Sequence, residues 1–260
     1  MWRILKYLQH LFCLRHRYGH RIHSPYLFEV VNRVIFNASG EKGHIPVREL
    51  HLDLLSERTM LPAGGAGVPS RVHSGVHRSV RSFVRGSSVS PKYGALLFRL
   101  SRWFHPEVIL ELGTGIVVST LYLASGSPGV AVHTIEGNRD RAQFSIWLFK
   151  RFGLGTVQVH IGEMEQVLDQ LKSVVKGRIL AFVDGNHRYS PTLGYLRWIM
   201  DQAGEEAVVV MDDIYWSKGM FLAWQEIISW PETRASIDLF QVGILLLRRD
   251  LNKTNLKIKF

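Results

Sequence analysis

The sequence holds a single cysteine, Cys13, among 260 residues. One thiol excludes a framework of disulfides within the chain and a zinc site built on cysteines, and it fits a reducing cytoplasm. Long apolar runs are also lacking, because stretches such as AVVVM and VGILLL are far too short to cross a bilayer. The first residues, MWRILKYLQHLFCLRHR, are interrupted by charges and lack the apolar block of a signal peptide. These absences predict a soluble cytoplasmic protein.

Acidic residues are scarce in the first hundred residues, which hold 15 Lys and Arg against 5 Asp and Glu. The remaining residues hold 17 of each sign, so the net charge of +10 comes from the first part. A basic segment can bind nucleic acid, an anionic membrane or an acidic substrate, or it can be a solvated surface. Apolar residues at helical spacing between 2 and 14 add a further possibility, which is peripheral contact of residues 1–22 with an anionic membrane.

The sequence favours helices early in the chain and an alternation of strands and helices later. Serine followed by proline predicts helix starts at Ser24–Pro25 and Ser90–Pro91. Beyond residue 105, short apolar stretches alternate with segments of helical periodicity, which predicts βαβ units and a mostly parallel sheet. The predicted strands are 108–112, 131–136, 157–162, 179–184 and 207–212, and the predicted helices are about 117–125, 138–152, 163–173 and 190–203.

The sequence predicts a different ending for this sheet. A helix at 218–229 is followed by strands at 235–240 and 243–249, and their link of about two residues requires antiparallel pairing. The fold class is therefore α/β, with a mostly parallel Rossmann-like sheet, an antiparallel hairpin at its C-terminal end and an N-terminal helical extension. The predicted divisions are a basic, mainly helical extension at 1–89, a ligand-binding domain at 90–250 and a tail at 251–260.

The stretch ILELGTGIVV, residues 109–118, predicts a buried strand that runs into a tight turn at Gly113 and Gly115. Such turns bring bare backbone close to a nucleotide-like ligand. A mononucleotide P-loop is excluded because no Gly-Lys-Ser or Gly-Lys-Thr occurs anywhere in the chain. A dinucleotide site is disfavoured because Val118 stands where the third glycine of that fingerprint belongs, and no nearby cation would meet a pyrophosphate.

A cofactor without phosphate fits this turn better. S-adenosylmethionine carries an ammonium, a sulfonium and ribose hydroxyls, which carboxylates and backbone carbonyls can bind. Glu111 precedes the turn, Glu136 ends the next strand where it can accept both ribose hydroxyls, and Glu163 follows the third strand where it can line the adenine. Three acids at successive strand ends therefore favour S-adenosylmethionine.

Several motifs carry a family resemblance: ILELGTG, STLYLA, HTIEG, FVDGNHRY and MDDIYWS. Together they resemble class I S-adenosylmethionine-dependent methyltransferases, most closely a bacterial group related to small-molecule O-methyltransferases. The resemblance covers residues 90–249 and, through GHRIHSPYLFEVV and SPKYGALLFRL, extends into the N-terminal segment. It implies a class I methyltransferase fold, with domain 90–250 binding the cofactor. Loops of this family often carry a third glycine at position 117, where this chain has Val117. The predicted cofactor contacts are Glu111, Gly113, Thr114, Gly115, Glu136, Gly137, Glu163 and Asp184.

Asp184, Asp212 and Asp213 follow the fourth and fifth predicted strands, so we expect them to meet at the carboxyl edge of the sheet beside the cofactor methyl group. Metal-dependent catechol-type methyltransferases carry a similar set, with an amide at the place of Asp213. Three carboxylates suit Mg²⁺ or another divalent cation, which would lower the pKa of a substrate hydroxyl. The structural alternative is that these acids only cap the segments that follow them. His187 is an alternative catalyst, as a general base. The predicted catalytic residues are Asp184, His187 and Asp212.

The main hypothesis is S-adenosylmethionine-dependent methyl transfer to a hydroxyl of a small molecule, by in-line attack on the cofactor methyl group. Tyr215 and Trp216 are candidates for an apolar wall beside the acceptor or the sulfonium. Basic residues ahead of the domain could face an acidic substrate or cover the cofactor: Arg71, Arg78, Arg81 and Arg85.

Two alternatives remain open. The first is a methyltransferase that reaches nucleic acid through its basic region, although the sequence contains no RNA-binding signature and no motif of base amino-methylation. The second is a non-catalytic protein held at a membrane surface by its first helix.

Overall fold

The computed structural model describes residues 2–12, 22–36, 42–62, 77–87 and 89–260. It divides into two compact units, one formed by 42–175 and the other by 1–41 together with 176–260. We call them the glycine-turn unit and the aspartate unit, after the candidate site residues that each contains. The units differ from the predicted division at residue 89, because 42–89 belongs with the glycine turn. Cys13, His20 and Arg71 lie outside the described residues.

The elements follow the predicted alternation. The α-helices are α1 Trp2–Phe12, α2 Pro25–Glu29, α3 Ile45–Leu54, α4 Val80–Ser87, α5 Pro91–Phe104, α6 Val118–Gly126, α7 Arg139–Arg151, α8 Met164–Leu171, α9 Tyr189–Gln202 and α10 Lys218–Ile227. A π-helical segment, Val30–Ile35, continues α2. The strands are β1 Met60–Pro62, β2 His77–Ser79, β3 Val108–Leu112, β4 Ala131–Glu136, β5 Val157–Ile161, β6 Gly177–Val183, β7 Ala203–Met211, β8 Ala235–Asp238, β9 Gly243–Leu246 and β10 Thr254–Lys257.

The glycine-turn unit is built on the parallel strands β3, β4 and β5, which lie side by side in that order. Every residue of β3 is buried, as expected for a strand that is covered on both faces. The small antiparallel pair β1–β2 and helix α3 were not predicted, because none of these short segments carries a clear period. Helix α4 forms within a stretch that is rich in Ser, Arg and His.

The aspartate unit holds its strands in the order β10-β8-β9-β7-β6. Strands β6 and β7 are parallel, whereas β9 runs antiparallel to both β7 and β8, so the predicted hairpin is confirmed. Strand β10 pairs in parallel with β8. Residues 251–260 are therefore not a simple tail, because this segment contributes the edge strand β10 and buries Leu256 and Ile258. Its polar composition hid the strand from sequence reasoning.

Both predicted helix starts are confirmed. Ser24 caps α2 by accepting a hydrogen bond on its hydroxyl from the backbone N–H of Leu27, over 3.4 Å, and Pro25 is the first helical residue. Pro91 opens α5 in the same way, although the Ser90 side chain makes no capping bond there. Helix α5 ends at Phe104, and the left-handed backbone of the C-cap residue His105 (φ 49°) stops the helix.

No helix within the described parts of the chain is both long and apolar enough to cross a membrane.

Candidate cofactor and acceptor sites

The turn after β3 adopts backbone conformations that favour glycine. Gly113 has φ 101° and Gly115 has φ 54°, both in the left-handed region that residues with a Cβ rarely enter. A Cβ placed on Gly115 would meet no atom within 4 Å, so open space lies directly beside this backbone. The turn can therefore let a ligand approach the bare main chain, as the sequence analysis expected.

Val117, which stands where the family often has a third glycine, also lies in the left-handed region, with φ 51°. For a β-branched residue this conformation is strained, at a cost of about 1–3 kcal/mol. Its side chain is fully buried (0% exposed), so it packs into the protein and does not line open space. The departure from glycine therefore costs backbone energy without placing a side chain in the space beside the turn.

Glu111 is fully buried and its carboxylate is held by two threonines. Its Oε2 accepts hydrogen bonds from the hydroxyls of Thr120 on α6, at 2.5 Å, and Thr134 on β4, at 2.6 Å. The Thr114 hydroxyl lies 2.6 Å from that of Thr134 and joins the same network. These bonds tie β3, β4 and the start of α6 together, so Glu111 holds the turn in place from behind.

Glu136 brings its carboxylate to the turn. Its Oε2 accepts a hydrogen bond from the backbone N–H of Gly115 at 3.1 Å, and its Oε1 accepts from the backbone N–H of Asn138 at 2.8 Å. Arg141, in the first turn of α7, donates to the same Oε1 at 2.8 Å. The predicted ribose acceptor thus lies against the turn, with its orientation set by two N–H groups and a guanidinium.

Two further residues of this unit, Gly137 and Glu163, are predicted to contact the cofactor. Gly137 is exposed just after β4, between Glu136 and the cap of α7. Glu163 occupies the N-cap position of α8, and its exposed side chain makes no capping bond there. It follows β5 as the sequence required, and its contact with adenine stays a prediction.

The basic residues that precede the domain differ in their surroundings. The guanidinium of Arg78 is buried, lies 4.4 Å from the ring centroid of Phe83 and donates to the backbone carbonyl of Ser82 at 2.8 Å. Arg141 approaches the same ring at 6.0 Å. Burial lowers the pKa of Arg78, and the charge of Arg141 adds to that effect. Arg78 is thus a packing residue beside the Glu136 ion pair, whereas Arg85 is exposed.

In the aspartate unit, each acid of the predicted set has a donor or cation beside it. His187 Nε2 lies 3.4 Å from Asp184 Oδ1, and Arg3 Nη2, from α1, lies 3.4 Å from Asp213 Oδ1. Asp212 Oδ1 accepts a hydrogen bond from the backbone N–H of Asp213 at 2.9 Å. The fold therefore gathers the three acids that the sequence predicted and adds two positive groups.

The electrostatics of this cluster differ from those of isolated side chains. Burial alone would lower the pKa of His187, but its hydrogen bond to Asp184 and the surrounding carboxylate charges outweigh burial and raise that pKa to about 9. Burial raises the pKa of Asp212 well above its ordinary value, and repulsion from Asp184 and Asp213 adds to the effect. These shifts favour the charged form of His187 beside Asp184 and make the Asp212 carboxylate more basic than usual, and the catalytic roles of both residues stay predictions.

A divalent cation does not fit the cluster as it is arranged. Among the described residues, no three His, Cys, Asp or Glu side chains form a group that could hold a metal ion. The imidazolium of His187 and the guanidinium of Arg3 already supply positive charge to Asp184 and Asp213. The predicted metal role of Asp184, Asp212 and Asp213 therefore has no support in this geometry.

The two aromatic candidates for an acceptor wall are placed differently. Tyr215 is buried, stacks on Phe240 with ring centroids 4.7 Å apart and donates its hydroxyl to Asp238 Oδ2 at 2.7 Å. It therefore serves core packing. Trp216 is partly exposed and lies under the guanidinium of Arg3, 5.5 Å from its ring centroid. Of the two, Trp216 alone keeps a surface that could face a ligand.

Four contributing residues were not identified from sequence. Arg141 follows Glu136 by five positions at the start of a helix, a spacing that sequence reasoning could have used. Thr120 and Thr134 carry no signal apart from their polarity within apolar segments. Arg3 and Asp213 are in contact although they are 210 residues apart in the sequence, and no local sequence pattern predicts such a contact.

Comparisons with known proteins agree with this geometry. Residues 110–214 match a family model described as a methyltransferase domain. A curated protein of Mycobacterium sp. (strain JLS), whose name assigns it provisionally to the O-methyltransferases, is 30% identical over 112 residues, or 42% of this chain and 50% of that protein. The matched region thus spans about half the length of that curated relative.

Solved structures share the fold. The O-methyltransferase TomG from Streptomyces achromogenes, involved in tomaymycin synthesis and solved with S-adenosylmethionine, aligns with a TM-score of 0.56 at 24% identity, over 63% of this chain and 82% of TomG. An O-methyltransferase from Bacillus cereus in complex with S-adenosylhomocysteine aligns with a TM-score of 0.55 at 18% identity, over 86% and 97% of the two chains.

The fold is therefore that of the Rossmann-like methyltransferases, with a mostly parallel sheet, flanking helices and an antiparallel hairpin at its C-terminal end. Residues 110–214 are thus similar to a methyltransferase domain, and the proteins that share this sequence similarity or this fold include O-methyltransferases.

Proposed function

We propose that this protein binds S-adenosylmethionine at the glycine turn and transfers its methyl group to a hydroxyl of a small molecule. The observation that carries the proposal is the hydrogen bond from the Gly115 N–H to Glu136. It joins a bare backbone turn, beside open space, to a carboxylate that can accept ribose hydroxyls. TomG and the Bacillus cereus relative, whose structures contain S-adenosylmethionine and S-adenosylhomocysteine, support this choice of cofactor.

The residues of the turn fit this cofactor by their chemistry. Open space beside Gly115 leaves room for a ligand against the main chain, and no phosphate-binding cation is required. When bound, S-adenosylmethionine supplies an electrophilic methyl group. Gly113, Gly115 and Glu136 would hold the cofactor, while Glu111, Thr120 and Thr134 keep the turn in shape.

Asp212 is the proton acceptor in this proposal. A substrate hydroxyl would pass its proton to this carboxylate as its oxygen takes the methyl group that bound S-adenosylmethionine would supply, with S-adenosylhomocysteine as the other product. Burial makes the Asp212 carboxylate more basic than usual, which favours proton transfer. Charged His187 pairs with Asp184 and is available to orient the acceptor. Proximity does most of the remaining work, because alignment alone can contribute about 7–11 kcal/mol.

Calorimetry with S-adenosylmethionine and S-adenosylhomocysteine tests the first half of the proposal. We expect one site per chain with a dissociation constant in the micromolar range. Absence of heat at millimolar ligand, with the protein shown to be folded by circular dichroism, would refute the cofactor assignment.

The methyl-transfer part of the proposal is tested by incubating the protein and S-adenosylmethionine with each of a panel of phenols and other hydroxyl compounds. The measurement is the S-adenosylhomocysteine that forms. Asp212→Asn should lower kcat with the best acceptor by about 10²–10⁴-fold, the usual contribution of a general base, and leave cofactor binding intact. Asp201→Asn, an exposed acid in α9, is the matched control and should keep full activity. Because the acids have protein cations beside them, we expect activity to persist in EDTA, and its complete loss there would reinstate a metal.

A further inference from the structure

Helix α1 packs on the protein through its polar side, with the rings of Trp2 and Tyr7 at the margins against Phe221 and Phe240, and it turns a second, apolar side toward water. Arg3 contacts Asp213, Lys6 Nζ lies 4.3 Å from the ring centroid of Phe221, and the buried His10 lies 3.4 Å from Asp238. A surface helix of a globular protein ordinarily does the reverse and buries its apolar side. The apolar side of α1 is therefore available to something other than its own fold.

The exposed apolar residues form one stripe along α1. Ile4, Leu5, Leu8 and Phe12 are exposed by 65%, 55%, 46% and 89%. With about 100° of rotation per residue, these four side chains fall within an arc of roughly 100°, and the three inward polar residues lie on the opposite side. A contiguous apolar stripe of this kind marks an interaction site. We define these four residues as the α1 stripe.

The positive charge of the residues around the α1 stripe indicates which kind of partner the stripe binds. Residues 1–22 hold five Arg and Lys and no Asp or Glu. Arg3 and Lys6 are used within the aspartate unit, and the nine residues that follow α1 in the sequence, CLRHRYGHR, supply three more arginines. An apolar helix side adjoining a basic segment matches a bilayer that has a hydrocarbon interior and anionic headgroups.

A second copy of the chain fits the stripe poorly. In a symmetric dimer the same surface meets itself, so the basic segments of both copies would be brought together. The helix of 11 residues is only roughly 16 Å long. A contact along one such stripe is small beside the roughly 800 Å² per partner that a stable interface buries.

We propose that the α1 stripe is a docking surface for an anionic lipid bilayer, on which the protein binds as a peripheral protein. The apolar side chains of the stripe enter the boundary between headgroups and acyl chains, and the net positive charge of residues 1–22 favours anionic headgroups. Because Arg3 of the same helix contacts Asp213, docking would place the aspartate cluster close to the membrane surface. The proposal does not depend on the methyl-transfer activity.

Flotation with vesicles tests it directly. The full chain is mixed with phosphatidylcholine vesicles that contain or lack phosphatidylserine, at low and at high salt. We expect binding to the anionic vesicles, weaker binding to neutral ones, and a loss with rising salt, because each basic residue near the surface contributes roughly fivefold to partitioning. Retention of the protein in the soluble fraction with both vesicles at low salt would overturn the proposal.

Substitutions in the α1 stripe test whether this stripe is the surface that binds the membrane. Leu8→Gln combined with Phe12→Gln should lower partitioning by at least about tenfold, because two exposed apolar side chains no longer enter the lipid. Leu8→Met with Phe12→Leu keeps the surface apolar and should bind as wild type. The matched control is Leu52→Gln with Trp147→Gln, two exposed residues of the glycine-turn unit, which should also bind as wild type.

Two results would contradict the assignment. One is unchanged flotation of the Leu8→Gln/Phe12→Gln variant. The other is a wild-type dimer in solution that the same variant converts to a monomer, since the stripe would then be occupied by a second copy. We expect the unfolding curves of all three double variants to overlay that of wild type, because the substituted positions are exposed. Such curves would show that each variant is folded.

Discussion

The backbone N–H of Gly115 donates to Oε2 of Glu136 over 3.1 Å, so the turn after β3 and the acid that ends β4 are held together. Arg141 and the N–H of Asn138 hold the other carboxylate oxygen. One side chain therefore both shapes the turn and presents an acceptor to a ligand at the turn. Its removal should affect binding more than removal of any other acid in the glycine-turn unit.

Glu136→Gln tests this relation. A glutamine offers one acceptor oxygen in place of two, and its amide group would face the Gly115 N–H, the Asn138 N–H or the Arg141 guanidinium, all of which are donors. We expect S-adenosylhomocysteine affinity to fall at least about tenfold, or about 1.4 kcal/mol, by calorimetry. Asp140→Asn, an exposed acid in the first turn of α7, is the control and should leave affinity unchanged. Equal affinity of Glu136→Gln and wild type would rule out the ribose role.

At position 117 we expect the glycine variant to be more stable than the alanine variant, the reverse of the usual order. The backbone of Val117 lies in the left-handed region, where alanine is strained and glycine is not. Alanine at this position therefore keeps a strain of about 1–2 kcal/mol that glycine relieves. Both variants lose the buried side chain, so Val117→Gly should be more stable than Val117→Ala by about 1 kcal/mol in urea unfolding, although glycine is smaller. At Leu121, inside α6, the same pair should show the opposite order by about 1 kcal/mol. An alanine variant at 117 that is at least as stable as the glycine variant would contradict the left-handed backbone.

Thr134→Val should destabilise the glycine-turn unit. The valine has nearly the same shape but leaves the buried Glu111 without one hydroxyl donor and Thr114 without its partner. Loss of a hydrogen bond to a charged group costs about 1.5–3 kcal/mol, to be measured by chemical unfolding. Thr192→Val is the control, since the hydroxyl of that equally buried threonine donates a weak hydrogen bond to the Met220 sulfur, at 3.5 Å, and the variant should lose less than about 1 kcal/mol. Similar losses at the two positions would argue against a special network at Glu111.

His187 predicts a dependence of stability on pH. Its pKa is raised from 6.5 to about 9 in the folded protein, so the stabilisation from its charge is fully present below pH 6.5 and is lost as pH rises through 9. Unfolding free energies across that window should fall more steeply for wild type than for His187→Gln. Nuclear magnetic resonance of the labelled imidazole should give a midpoint well above 6.5, and a midpoint at or below 6.5 would refute the pairing with Asp184.

The local sequence determined much of the architecture. Apolar runs of five or six residues and the periodic segments between them located β3 to β9 and the helices between, because burial on both faces of a parallel sheet demands unbroken apolar strands. The short link, predicted at about two residues and found at 239–242, forced the antiparallel hairpin of β8 and β9. Gly113 and Gly115 were recognisable because a left-handed turn selects glycine. Glu111 and Glu136 could be located since acids at strand ends share one edge of the sheet.

Tertiary structure alone decided how these groups are used. Glu111 turned out to be held by Thr120 and Thr134, and Glu136 by Arg141, because such partners come from other elements and their spacing has no sequence period. The cations beside Asp184 and Asp213 could not be foreseen, since Arg3 reaches its partner across 210 residues of chain. Burial and neighbouring carboxylates raise the pKa of Asp212, whereas neighbouring carboxylates raise the pKa of His187 against the effect of burial. Both are properties of three-dimensional proximity, whereas the sequence specifies only which residues are available to meet.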